Sequence, residues 1–177
     1  NLARAGYHVT GIDISTERAA AIGRGESYIQ DVASSAVKEQ IDCGRLRAAD
    51  SYDGIGDLDV VFICVPTPYN ASKAPDITFI QNAARSIAAH LRRGQLVVLQ
   101  STTYPGTTEE DVMPILESSG LKAGKDFHLA FSPERVDPGN RTFNVENTPK
   151  VVGGLTRECS ELTRLLLSSM AAPVHVV

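Results

Sequence analysis

Three cysteines in 177 residues are too few, and at Cys43, Cys64 and Cys159 too scattered, for a disulfide framework or a zinc site. A reducing, cytoplasmic setting is therefore expected. The four histidines, His8, His90, His128 and His175, show no metal-ligand spacing, so no metal is expected. No apolar run approaches the ~18 residues that a membrane-spanning helix needs, and no membrane partner is expected. Positive charge is not in excess either. The formal net charge of −4 argues against a broad nucleic-acid surface. An anionic ligand would instead need local donors, at helix N-termini or on single arginines. Also missing are an initiator methionine, a signal peptide, internal repeats and any long linker. The chain opens on Asn1-Leu2-Ala3-Arg4-Ala5-Gly6, which reads as the last turn of a helix capped at Gly6. It closes on Pro173-Val174-His175-Val176-Val177, which reads as a strand. Both ends are expected to be cuts through a longer protein.

What is present is an ordinary globular composition, 42% hydrophobic and 21% charged, enough for one domain with a substantial core. Apolar runs alternate with helical patterns throughout. Residues 7–14 read as a buried strand, followed by Ser15 capping a helix that Gly23 and Gly25 end. A second helix is expected over about 32–43, stopped by Gly44, then a short strand over 46–49. The run at 58–65 is the strongest strand, apolar on both faces as a covered central parallel strand should be. An amphipathic helix over 77–91 keeps Ile77, Ile80, Ala84, Ile87, Ala88 and Leu91 to one side. A strand follows at 95–100. Thr107 with Glu110 forms the pattern of a capping box that opens a helix through Leu116. An apolar strand-like run over 127–130 precedes the Glu134 loop, Lys150 to Gly154 reads as strand, and Thr156 caps a helix to about Met170. Strands alternating with helices at this spacing predict an α/β fold, a doubly wound parallel, Rossmann-like sheet truncated at both ends.

Three loops at strand carboxyl ends carry the chemistry-bearing residues, and in such a sheet that edge is where ligands bind. Val65-Pro66-Thr67-Pro68-Tyr69 and Ser101-Thr102-Thr103-Tyr104-Pro105-Gly106-Thr107-Thr108 combine hydroxyls with rigid prolines. Ordinary turn chemistry would account for either alone. Phe131-Ser132-Pro133-Glu134-Arg135-Val136-Asp137-Pro138-Gly139-Asn140 adds an acid beside a base in one turn. A salt-linked surface turn is the plainer account of that pair. Asp13, closing the first strand, stands where a dinucleotide-binding unit places an acid for the adenosine ribose, and equally where a helix cap would stand. Arg18, five residues on, can reach the adenosine side or stay a solvated helix arginine. Cys64 and Cys159 read as packing residues, Cys43 is no better placed as a nucleophile, and Tyr69 and Tyr104 read as packing or stacking groups.

GIDIS, VPTPY, STTYPGTT, FSPERVDPGN and TPKVVGG, in that order, resemble the amino-terminal NAD-binding domain of the UDP-glucose/GDP-mannose dehydrogenase family. The resemblance spans essentially the whole chain, and the SPERVDPG form looks most like the branch acting on UDP-N-acetyl-hexosamines. It implies NAD as cofactor and a UDP-sugar as substrate, whose C6 alcohol is oxidised twice to a uronate through a cysteine thiohemiacetal and thioester. It implies that Asp13 binds the adenosine ribose with Arg18 nearby, and that Thr67 and Thr102 line the nicotinamide side. Glu134 would order or activate water at the reacting carbon, with Arg135 and Val136 against the substrate. It implies that residues 1–177 form the NAD-binding domain without its first strand and Gly-rich loop. The nucleophilic cysteine, active-site lysine and asparagine, central helix and sugar-binding domain would lie beyond Val177, with a homodimer at full length. Related UDP-glucose enzymes carry a second acid where this chain has Pro138, so that acid's role is not carried to Asp137. A single-step hydroxyacid dehydrogenase and a non-catalytic nucleotide-binding module share the fold and stay open.

Overall fold

The computed structural model describes residues 1–29, 31–69, 74–135, 142, 147–170 and 173–177. They fall into two compact units, one containing Asn1–Tyr52 and the other Asp53–Arg135 with Pro149–Val177.

The first unit begins with the expected helix end. Gly6 N donates to Ala3 O and Tyr7 N to Leu2 O, the paired bonds of a glycine-capped terminus. Strand β1 (Val9–Ile12) is shorter than the apolar run suggested, with Tyr7 and Ile14 exposed on either side of it. Helix α1 (Thr16–Gly23) starts where Ser15 Oγ accepts Arg18 N at 3.3 Å, as its sequence position predicts. Helix α2 (Ser34–Asp42) buries Val37 and Gln40. Strand β2 (Leu46–Ala49) then pairs in parallel with β1, Val9 beside Leu46 and Ile12 beside Ala49.

The second unit runs β3 (Val60–Ile63), α3 (Thr78–Ala88), β4 (Leu96–Leu99), α4 (Met113–Glu117), β5 (His128–Phe131), β6 (Lys150–Gly154), α5 (Arg157–Ser168) and β7 (Val174–Val176). Its sheet has the order β3-β4-β5-β6-β7. The first three strands are parallel and finish level, Ile63 beside Leu99 beside Phe131. The expected parallel sheet is thus present, with one reversal: β6 runs antiparallel to β5, and β7 follows β6. All four residues of β4 are buried, whereas in β3 only Val61 and Ile63 are. The 58–65 run is therefore not the most covered strand; β3 stands at one end of the sheet order and β4 is flanked on both sides. Leu96, Val98 and Ala130 form a buried cluster on one face, with Val60 and Phe62 packed on it. Helix α3 buries Ile80, Ala83, Ala84, Ile87 and Ala88, nearly the stripe its periodicity marks, each large residue worth about 1.5–3 kcal/mol.

A helix does begin at Thr107, but not through a capping box. Gly106, left-handed at φ 93°, is the cap of a π-helical stretch, Thr107–Val112, that runs into α4. The Thr107 hydroxyl turns back to donate to Tyr104 O at 3.0 Å and meets Thr103 Oγ1 at 2.8 Å, so it is spent on the preceding loop. Thr156 caps α5 as expected, accepting Cys159 N at 3.2 Å.

Candidate functional site

Because β3, β4 and β5 end level, the loops that leave them start side by side, and buried polar bonds hold them there. The Gln100 and Ser101 amides both donate to Ile63 O. The buried Ser101 hydroxyl lies 3.2 Å from Ile63 O and 2.8 Å from Val65 O. One side chain thus stitches the loop of Thr67 to the loop of Thr102; Thr67 is half-buried and Thr102 exposed. Ser132 N donates to Leu99 O at 3.0 Å and Glu134 N to Gln100 O at 3.4 Å, bringing the third loop alongside. The second unit therefore gathers Thr67, Thr102, Glu134 and Arg135 at one sheet edge. Val136 lies outside the described residues.

The Glu134 carboxylate is gripped from several sides. Lys150 Nζ stands 3.1 Å from Oε1 and 3.2 Å from Oε2. Arg135 N donates to Oε1 at 2.7 Å, and Gln100 Nε2 lies 3.5 Å from Oε2. So Glu134 pairs with Lys150 and with the backbone of Arg135, and the Arg135 side chain is exposed. The Glu134 side chain is 41% exposed while that of Lys150 is 1% exposed, so the cation supports the acid from the interior side. Cys64 Sγ, 3.3 Å from Gln100 Oε1, extends the chain of contacts. Cys64 is not inside β3 as its sequence position suggested; it follows the strand and is exposed. The protein packed behind it and the Glu134 charge push its thiol up to about 11, with Lys150 acting in the opposite sense. Such an arrangement offers an oriented acceptor to an alcohol or a water through charge-assisted bonds.

In the first unit Asp13 follows β1 directly, its amide bonded to Ala49 O at 3.1 Å. Oδ1 accepts Ser15 N at 2.9 Å and Oδ2 lies 3.7 Å from the Arg18 guanidinium. The two accounts of Asp13 are compatible: one oxygen shapes the turn into α1, and a carboxylate has acceptor capacity to spare. The Arg18 guanidinium sits 5.6 Å from the centre of the Tyr28 ring. Burial and the Asp13 charge raise the Tyr52 phenol above its usual range, keeping it protonated. Among the described residues no cluster of three or more His, Cys, Asp or Glu could hold a metal ion, and no helix is long and apolar enough to cross a membrane.

Residues 1–170 match the NAD-binding domain of the UDP-glucose/GDP-mannose dehydrogenase family. The chain belongs to that family. It is 37% identical over 155 residues to UDP-N-acetyl-D-glucosamine 6-dehydrogenase of Pseudomonas aeruginosa, covering 87% of this chain and 36% of that protein. The structure of UDP-D-ManNAc dehydrogenase from Pyrococcus horikoshii superposes with a TM-score of 0.93 at 32% identity, over 99% of this chain and 42% of that one. GDP-mannose dehydrogenase from Pseudomonas aeruginosa, solved as a ternary complex, gives 0.89 at 29% identity, over 99% and 42%. The fold is accordingly Rossmann-like, and the chain spans about two fifths of the length of these relatives.

No motif in the sequence marks Lys150 or Gln100 as part of this site, and Ser101 stands out only as one hydroxyl of its loop. The one available signal was a lysine opening an otherwise apolar strand, Lys150-Val151-Val152. Nothing in that pattern tells which edge of the sheet the strand starts from.

Proposed function

We propose that this chain is the NAD-binding part of an NAD-dependent UDP-sugar 6-dehydrogenase that oxidises the C6 alcohol of UDP-N-acetylglucosamine or UDP-glucose to a uronate, for surface polysaccharide synthesis. The observation that carries the reading is Glu134: a half-exposed carboxylate, fixed by Lys150 and the Arg135 amide, at the edge where three strands end. The donor set fits the cofactor. Asp13 keeps carboxylate acceptor capacity for the adenosine ribose beyond its bond to Ser15 N, Arg18 stands beside it, and Thr67 and Thr102 offer hydroxyls for the nicotinamide side. When bound, NAD+ accepts the hydride. Glu134 orders a water or takes a proton at the reacting carbon, and Arg135 faces the substrate with Val136. We place the full-length protein in the cytoplasm as a homodimer.

The test is the stoichiometry of the full-length protein. Two NAD+ reduced per sugar with a uronate product is the expected result. One per substrate, ending at a carbonyl, would instead favour a single-step hydroxyacid dehydrogenase, and NAD binding without turnover a binding module. Glu134→Gln should lower kcat by about 100-fold or more, within the range ascribed to general acid–base groups, with NAD affinity little changed. Equal loss of both would make Glu134 a scaffold residue.

A further inference from the structure

A lysine that is 1% exposed is unusual, because withdrawing an ammonium from water costs several kcal/mol that only good partners return. At this place in β6 an apolar residue would satisfy the fold; Val152, two residues on along the same strand, is fully buried. Replacing a buried ion pair with apolar groups is often neutral or stabilising, so stability does not explain the choice. The topology does. Had β6 continued the parallel order, its first residue would lie at the far edge, away from the loops. It runs antiparallel, with Phe131 opposite Gly153 and Ala130 opposite Gly154. Continuing that register three residues past Phe131 sets Glu134 opposite Lys150. The reversal of direction between β5 and β6 therefore delivers the first residue of β6 to the edge where β3, β4 and β5 have their last.

We propose that Lys150 is a positioning residue: its buried ammonium holds both oxygens of Glu134 from the interior side, fixing the carboxylate's direction and its charged state toward the substrate. The proposal rests on the reading of Glu134 given above. Lys150 touches no reacting atom. It acts through Glu134, whose oxygens it meets at nearly equal distances, 3.1 and 3.2 Å, so the carboxylate cannot rotate without losing a contact. Arg135 N and Gln100 Nε2 add to the grip, one on each oxygen. Among the described residues, the titratable groups that face this carboxylate from neighbouring elements include Lys150 of β6 and Cys64 after β3, with Arg135 beside it in its own loop.

The test is a double-mutant cycle in the full-length protein with Lys150→Met and Glu134→Gln. Methionine keeps the buried aliphatic stem, and the stranded carboxylate is half-exposed, so the variant should fold. Lys150→Met alone should lower kcat by about 100-fold, the cost of a misplaced group. It should leave the KM for NAD+ within about twofold, and the acid limb of the kcat profile should move to higher pH, since a neighbouring cation favours the ionised acid. In the Glu134→Gln background the same change should cost less than about threefold, because the group it positions is already gone. An equal loss in both backgrounds, or no loss in either, overturns the proposal. A second readout does not depend on turnover. With Cys43 replaced by serine, alkylation of Cys64 should require higher pH in Lys150→Met and lower pH in Glu134→Gln. If the protein oxidises no UDP-sugar, the functional reading fails and this readout decides the inference: opposite shifts uphold the pairing, and no shift removes it.

Discussion

The thiol of Cys64 donates toward Gln100 Oε1 beside a carboxylate, and its pKa of about 11 leaves on the order of one molecule in ten thousand as thiolate at neutral pH. A thiol in that state is a hydrogen-bond donor, not a nucleophile, whatever its closeness to Glu134. The sign follows from the causes: burial and negative charge both disfavour the anion, and the smaller effect of Lys150 opposes them. Iodoacetamide labelling, followed by mass spectrometry with Cys43 replaced by serine, should therefore stay slow through neutral pH and climb only above about pH 10. A rate already level by pH 9 would mean that the thiolate is stabilised and that the thiol is available for chemistry. The same neighbourhood shows what a single sequence hides. The Glu134 loop stands out in the sequence because an acid and a base share a proline-bounded turn. Lys150 does not, because its contact with that carboxylate spans 16 positions and leaves no local pattern.

Strand and helix positions were largely readable, since periodicity and caps are local properties. β2 and β6 fall on the expected residues, α3 buries nearly its marked stripe, and Ser15 and Thr156 cap as their types predict. The direction of β6 was not readable. A strand's alternation is the same read either way, and direction is set by the connection and the packing of the next helix. Gly154 records that packing. A Cβ built on it would lie 2.3 Å from Ser160 N and 2.7 Å from Cys159 C, while its own amide donates to Ser160 Oγ at 2.9 Å. The obstruction is helix backbone, so α5 would have to move as a body to admit a methyl group. Gly154→Ala should destabilise the protein by about 1–3 kcal/mol, the usual cost of overpacking. Urea unfolding followed by circular dichroism measures it, and a midpoint equal to wild type would mean that α5 yields freely there.

The two compact units differ in how well each can defend its own hydrogen bonds. The first has a sheet of two strands, β1 and β2, in which no residue is fully buried, and α1 likewise has no buried residue. The second is organised on β4, buried at every position and flanked on both sides, with β5 burying Leu129 and Ala130. Two-stranded sheets are marginal without a covering hydrophobic face, and parts of a protein with few buried apolar contacts open below the global free energy. Hydrogen exchange read by mass spectrometry should therefore divide the chain. Amides of residues 9–12 and 46–49 should exchange faster than those of 96–99 and 128–131 by on the order of tenfold or more, the effect of about 1.4 kcal/mol. Saturating NAD+ should narrow the gap, because the residues assigned to the adenosine ribose, Asp13 and Arg18, belong to the first unit, and a ligand bound only by the folded form adds its binding energy to that form. Equal rates in both sets without cofactor would mean that the chain opens as one cooperative body. Unchanged rates at residues 9–15 on adding NAD+ would remove Asp13 and Arg18 from the cofactor's reach.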